Sequence, residues 1–364
     1  MSMRILQMIS KNDRYGAQRI FLDQVKALHD LGNEVFVVAR GNEGYVADSV
    51  RALGISYHGI AMKGLADIIF LRKFIKERNI DVIHTTLDRA DYLGIIVAKL
   101  TGRRVVSTMM VPRCHPGFRF MDRIAVLSRM QLRLLERNGI SAHKITLIRP
   151  GIDVDRFSKP DQEKRSAWKE KLRIDRFSLV FCHISSMLTR KAHSVSLEVI
   201  AACKKSGEDP LLVIIGDPVE GEYYEALLRQ ARTDGIAENV FFTGWTRDVP
   251  EILSLSHFTI LPSENEALGV VLMEGMAAGT PIIAREGEGG AELVTDYEAG
   301  FLYRPQEGVS RLAEEITNLR RDATRFPSLS EKCRTIAMNE FSMNRFGRRL
   351  EGLYLSVLRR QSGM

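Results

Sequence analysis

Two carboxylates, Glu266 and Glu274, stand eight residues apart in the stretch "PSENEALGVVLMEGMAAGTPIIAREGEGGAELV", with Gly269 between them. The segment "ENEALG" is a loop leading into a helix that stops at Gly279, ahead of Thr280 and Pro281. The free N–H groups and dipole of a helix start favour a phosphate, and Gly269 lets the backbone come close to it. At helical rise the two carboxylates lie up to ~12 Å apart. They cannot share one proton, and the separation suits holding two hydroxyl-bearing parts of one extended ligand.

Other spacings point elsewhere. Asp153-x-Asp155 has the form of a metal-binding pair, but it sits in a turn-like block and reads as a helix-start or turn pair, so no metal is expected. Arg129, Arg133 and Arg137 recur every fourth residue, with Arg113, Arg119 and Arg123 upstream. This basic face suits an anionic lipid or a phosphorylated acceptor; a solvated helix face is the alternative. Cys114, Cys182, Cys203 and Cys333 show no metal or redox spacing, which fits a reducing cytosol.

The composition is that of a folded chain: of 364 residues, 45% are hydrophobic and 27% charged. That length fits two domains. Residues 1–160 hold 26 Lys+Arg against 15 Asp+Glu, while the remainder is net acidic within the overall +7. The two halves therefore face different partners. Nucleic acid is set aside, since no recognition motif accompanies the basic residues. The N-terminal apolar stretch is too short for a signal peptide, and no apolar run is long enough to span a bilayer. A cytoplasmic protein is expected, peripheral at the inner face of the membrane where the basic face meets anionic lipid.

The elements that must position these residues alternate. "RILQMI", "EVFVVA", "ISYHGI", "DVIHTT", "RVVSTM", "RIAVLS" and "KITLIRP" read as strands in the first half, and "SLVFCHIS", "LLVIIGD", "VFFTGW", "FTILPS", "TPIIAR" and "GFLY" in the second. Between the first two, Ala17, Phe21, Val25, Leu28 and Leu31 recur at helical spacing until Gly32. Such βαβ units imply parallel pairing. The expected fold class is α/β, with two doubly wound domains at 1–160 and 161–340, and a last helix at 341–364 packing back on the first. In such sheets ligands bind beyond the carboxyl ends of the strands, so the two domains are expected to face a shared cleft.

In this setting, Glu266-x7-Glu274 resembles the paired-glutamate signature of the family 4 retaining glycosyltransferases, glycosyltransferase group 1, which have the GT-B fold. "GAQRIFLDQVKALHDLGNEVFVV", "DVIHTTLDRADYLG", "IRPGIDVDRF" and "ENVFFTGW" resemble further blocks of that family, in the same order. The resemblance implies that Glu266 contacts the donor sugar and Glu274 the nucleotide ribose. Leu268 and Gly269 would offer backbone N–H groups to the diphosphate, which Lys191 would neutralise. Gly16 would approach the donor phosphate, and Trp245 would lie near the base. No cofactor is implied beyond the nucleotide-sugar substrate, with a UDP-sugar expected.

The chain departs from the family where its lysine is usually preceded by an arginine: Ser186 stands there, and Arg190 is the substitute candidate. Met110 stands where the family often has a histidine, with His115 five residues on as a substitute candidate or a surface histidine. His84 survives in "HTT", followed by Thr86 in place of a second histidine. The expected function is a retaining, metal-independent transfer of a hexose-type sugar to a cell-envelope glycan, such as lipopolysaccharide, or to a lipid-linked saccharide. His84, Arg113, His115, Arg119, Arg129 and Arg133 form the expected acceptor or membrane face. The alternatives are a nucleotide-sugar epimerase and a non-catalytic glycan-binding or scaffold protein. A dinucleotide-dependent oxidoreductase is weaker, because no GxGxxG follows either domain's first strand.

Overall fold

The computed structural model describes residues 2–13 and 15–359. Strands β1 (Arg4–Ile9), β2 (Glu34–Arg40), β3 (Ser56–Ile60), β4 (Val82–Thr86), β5 (Arg104–Met109), β6 (Arg123–Val126) and β7 (Ile145–Leu147) form one sheet in the order β3-β2-β1-β4-β5-β6-β7. Strands β8 (Leu179–Ile184), β9 (Pro210–Ile215), β10 (Val240–Gly244), β11 (Phe258–Leu261), β12 (Ile282–Arg285) and β13 (Gly300–Tyr303) form another, ordered β10-β9-β8-β11-β12-β13. All their pairings are parallel. Each expected strand segment holds one of these strands. The reason is burial: β4 and β9 are buried at every position, and strands covered on both faces read as continuous apolar runs.

One compact unit takes the described residues up to Ile152 together with those from Ser342 onward; the other runs from Asp153 to Phe341. The second unit thus begins earlier than residue 161. Phe157, only 1% exposed, anchors the charged block to the second unit, and Arg156 Nη2 donates to the Arg247 carbonyl at 3.0 Å. On composition alone the charged segment "DVDRFSKPDQEKRSAWKEKLRID", which starts at Asp153, reads as a linker.

At the other end, the Ser342 hydroxyl caps the helix Met343–Leu358. Its Phe346, Leu350, Leu353, Tyr354 and Val357 join the core that contains Phe21, Val25 and Leu28 of the helix Gly16–Asp30. Each such side chain contributes about 1.5–3 kcal/mol by leaving water, enough to hold the last helix on the first unit. Residues 360–364 of the expected terminal segment lie outside the described residues.

Candidate active site

Strand order decides where a ligand can sit in each sheet. In the second unit the chain proceeds from β8 to β9 and β10, then returns to place β11 on the other side of β8. That reversal opens a crevice between the diverging connections at the carboxyl ends. Lys191 follows β8 and Glu266 follows β11. Lys191 Nζ lies 2.5 Å from Glu266 Oε2, with the two side chains 15% and 17% exposed.

The backbone fixes this pair. The Glu264 N–H donates to the Arg190 carbonyl at 2.8 Å, joining the loops after β8 and β11. The Glu266 N–H donates to Glu288 Oε2 at 2.8 Å, and the Gly289 N–H donates to the Glu266 carbonyl at 3.0 Å, adding the loop after β12. Gly289 is required by this approach, since a Cβ there would stand 1.9 Å from the Ala267 carbonyl oxygen. Gly289→Ala is therefore expected to displace the 264–268 loop and lower turnover about 100-fold, the usual effect of a ~1 Å misplacement. Donor turnover and far-ultraviolet circular dichroism check it: unchanged turnover in a folded variant would show that the loop tolerates the shift.

Gly269, at φ +78°, turns the chain into the helix Val270–Ala278, whose start has no side-chain cap. Leu268 is 1% exposed, so it is packed into the loop that carries Glu266. Glu274 is 5% exposed, so it is not an ordinary solvated helix carboxylate. Trp245, after β10, is 46% exposed; its backbone N–H donates to Asp217 Oδ1 at 3.1 Å, and the Arg247 guanidinium lies 5.9 Å from its ring centre. The Arg190 side chain is exposed, and its charge helps to lower the Glu220 carboxyl pKa behind the larger effects of hydrogen bonds from the Thr189 hydroxyl and N–H. Asp153 caps the helix Val154–Ser158 through the Arg156 N–H, and Asp155 pairs with Lys159 at 2.7 Å. Both of these carboxylates thus have local partners.

Beneath Lys191 lies a cluster that no sequence motif marks. The rings of His183 and His193 stack at 4.0 Å, 8° from parallel. The Ser185 hydroxyl lies 3.0 Å from His183 Nε2 and 3.1 Å from His193 Nε2, and His183 Nδ1 meets the Ser196 hydroxyl at 2.9 Å. Burial, with the Lys191 charge adding to it, holds His183 well below the usual histidine range and lowers His193 to about 4. Both rings are neutral at pH 7. The available signal was a histidine inside the otherwise apolar strand "LVFCHI".

The first unit has its own reversal, between β1 and β4. Gly16 opens the helix after β1, and a Cβ there would meet nothing within 4 Å, so packing alone does not require the glycine. His84 does not belong to an acceptor face. It is 0% exposed, and its Nδ1 lies 2.6 Å from the Tyr354 hydroxyl and its Nε2 2.7 Å from Thr108 Oγ1, while burial lowers its pKa to about 3. The His84 side chain instead joins β4 to the C-terminal helix through that polar network.

His115 is likewise neither a surface histidine nor an accessible ligand. It is 7% exposed, its Nε2 lies 2.9 Å from Asp91 Oδ2, and its ring rests 3.9 Å from that of Phe118. Asp91 also accepts from Thr85 and Ser107; burial, the dominant effect, raises its pKa. Met110 is 6% exposed. Arg113, Arg119, Arg129 and Arg133 are exposed; Arg113 pairs with Asp88, and the Arg119 carbonyl accepts from Lys144.

Two family models match: "Glycosyl transferases group 1" over residues 164–339 and "Glycosyltransferase Family 4" over residues 15–109. The chain belongs to the group 1 glycosyltransferases. Among curated relatives, this glycosyltransferase is 24% identical over 375 residues to the UDP-Gal:alpha-D-GlcNAc-diphosphoundecaprenol alpha-1,3-galactosyltransferase of Escherichia coli, covering 94% of each chain. It is 27% identical over 283 residues to the GDP-mannose-dependent alpha-(1-6)-phosphatidylinositol monomannoside mannosyltransferase of Mycolicibacterium smegmatis, covering 72% of each. Its fold, of the GT-B class, is similar to that of Anabaena Alr3699/HepE crystallised in complex with UDP, with a TM-score of 0.86, 19% identity, and coverage of 97% of this chain and 100% of that one. Among the described residues of the glycosyltransferase, no helix is long and apolar enough to cross a membrane.

Proposed function

We propose that the protein moves a hexose-type sugar from a UDP-sugar to a lipid-linked saccharide or other cell-envelope glycan, with retention of configuration and without a metal. The observation that carries this reading is the Lys191–Glu266 pair at the β8/β11 reversal, beside the uncapped helix start at Gly269. A leaving diphosphate needs positive charge and oriented N–H groups, and a developing sugar cation needs a nearby carboxylate. Lys191 and the N–H groups at Leu268 and Gly269 serve the first need, and Glu266 the second. Glu274 takes the ribose and Trp245 the base. Arg190 adds charge near the phosphates.

The bond from the anomeric carbon to the phosphate oxygen breaks as the bond to the acceptor oxygen forms. The acceptor proton passes to the departing phosphate, leaving UDP and the new glycoside. No cofactor enters. The named relatives use UDP-Gal and GDP-mannose and act on a diphosphoundecaprenol-linked sugar and a phosphatidylinositol monomannoside. They support a membrane-bound acceptor and leave the base to experiment.

The test is nucleotide release from a panel of UDP-, GDP- and ADP-sugars, with and without lipid-linked acceptors. Release from a UDP-hexose, with the anomeric configuration retained in the product and undiminished by a chelator, is the expected result. Release from another nucleotide alone would overturn the UDP assignment. Tight nucleotide binding without release under every condition would favour a non-catalytic binding protein, for which Ser186 in place of a cation would then account.

A further inference from the structure

The large exposed apolar side chains of this protein are concentrated in one place. Among the described residues 13 are exposed, and seven of them come from the helix Leu65–Glu77, the helix Asp88–Thr101 and the turn Pro116–Phe120. The two helices touch, and the turn packs on the second. Their inner faces, through Leu71, Phe74, Leu93, Val97 and Phe118, fill one core on one side of the first sheet.

The outer faces are striped. In the first helix Leu65, Ile69, Arg72 and Lys76 follow one another at spacings of four, three and four; in the second, Arg89, Tyr92, Ile96 and Lys99 follow at three, four and three, with Leu100 beside them. These positions share one side of each helix. Leu65 is 70% exposed, Ile69 61%, Leu100 51% and Phe120 59%, and Lys99 Nζ sits 4.8 Å from the Phe120 ring centre. Contiguous apolar side chains held in water mark an interaction site.

Charge says which partner fits. The carboxylates of these two helices are withdrawn: Asp67 and Asp91 are buried, Asp88 pairs with Arg113, and Glu77 pairs with Lys73. Arg72, Lys76, Arg89 and Lys99 remain exposed beside the apolar residues. A surface combining apolar anchors and cations, with its carboxylates neutralised, is complementary to an anionic bilayer interface, where the apolar groups enter the headgroup boundary and the cations meet lipid phosphates.

We infer that this two-helix face docks the protein on an anionic lipid surface. The docking rests, for its purpose, on the lipid-linked acceptor proposed above; the residues that carry it are separate from the donor site. It also relocates the expected membrane contact, whose principal elements become the helices Leu65–Glu77 and Asp88–Thr101 rather than the arginine row of Arg129–Arg137.

The test is flotation with phosphatidylcholine vesicles, with and without added phosphatidylglycerol. Wild type is expected to float with the anionic vesicles and to remain behind with neutral ones. Arg72→Ser with Lys99→Ser should lower partitioning about 25-fold, from about fivefold per cation. Ile69→Ser with Ile96→Ser and Leu100→Ser should abolish flotation, whereas Lys26→Ser with Arg348→Ser, on the opposite side of the sheet, should leave it unchanged. All of these positions are exposed, and circular dichroism verifies folding. Equal recovery with neutral and anionic vesicles, or flotation indifferent to both face variants, would overturn the proposal; so would a dimer in sedimentation equilibrium that Ile96→Ser dissociates in a protein that does not float. Nucleotide release from a soluble donor should persist in the face variants. Its absence in wild type would remove the transferase reading while flotation still decided the surface.

Discussion

Glu266→Ala is expected to lower turnover of the sugar donor by about 100- to 1,000-fold, the range found when one preorganised electrostatic partner is removed from a transition state. The loss should fall on kcat, with the nucleotide's own affinity nearly unchanged, because the proposed role is at the sugar. Glu266→Gln, which keeps a hydrogen-bonding group but removes the charge, should fall between the two. Structure and chemistry are separable here. The Lys191–Glu266 contact is partly buried, so removing the carboxylate also leaves a cation without its partner. Lys191→Met provides the control: if the two residues act as a unit on one leaving group, the double variant should be little worse than either single one. Wild-type kcat in a folded Glu266→Ala protein would remove Glu266 from the mechanism. Simple additivity would separate the roles of the two residues.

That prediction was accessible from the sequence because its geometry is local. Glu266, Gly269 and Glu274 lie on one loop and the helix it enters, so their spacing along the chain nearly determines their spacing in space. The strands were accessible for a related reason: doubly covered parallel strands are unbroken apolar runs. His84 was not accessible. Its assignment depends on Tyr354, 270 residues away, and no local pattern shows that a helix from the end of the chain covers β4. His115 failed similarly, since Asp91 lies 24 residues before it on another element. The domain boundary misled because charge suggested solvent, while apolar residues of the segment, Phe157, Trp168 and Leu172, are buried and tie it to the second unit. The exposed stripe at Ile69 and Ile96 escaped notice because apolar residues at helical spacing read as core until the structure shows which side of the helix is already covered.

Mild acid should destabilise the second unit more steeply than the first. Burial holds His193 and His257 at about 4 and His183 well below the usual histidine value, all in the second unit; in the first, burial lowers His84 to about 3 and, with the Arg78 charge, lowers His58. Geometry agrees. His257 Nδ1 accepts from the Val180 N–H at 2.9 Å, which a protonated nitrogen cannot do, and the stacked His183–His193 pair has no room for two positive charges. The sign follows from linkage. Above pH 6.5 these rings are neutral in both the folded and unfolded chain, and nothing changes. Below it the unfolded chain takes up protons that the folded chain refuses, so stability falls by about 1.4 kcal/mol per pH unit for each histidine until the folded pKa is reached. Between pH 6.5 and 5, each ring should therefore cost about 2 kcal/mol. The protein supplies its own reporter, since its 2 tryptophans, Trp168 and Trp245, both lie in the second unit. Urea unfolding followed by tryptophan fluorescence should move to lower denaturant across that window, ahead of any circular dichroism phase assigned to the first unit, and His257→Gln should remove about a third of the slope. A fluorescence midpoint constant from pH 7.5 to 5 would mean that these histidines gain protons without unfolding the unit, and would refute the account of neutral burial beneath Lys191.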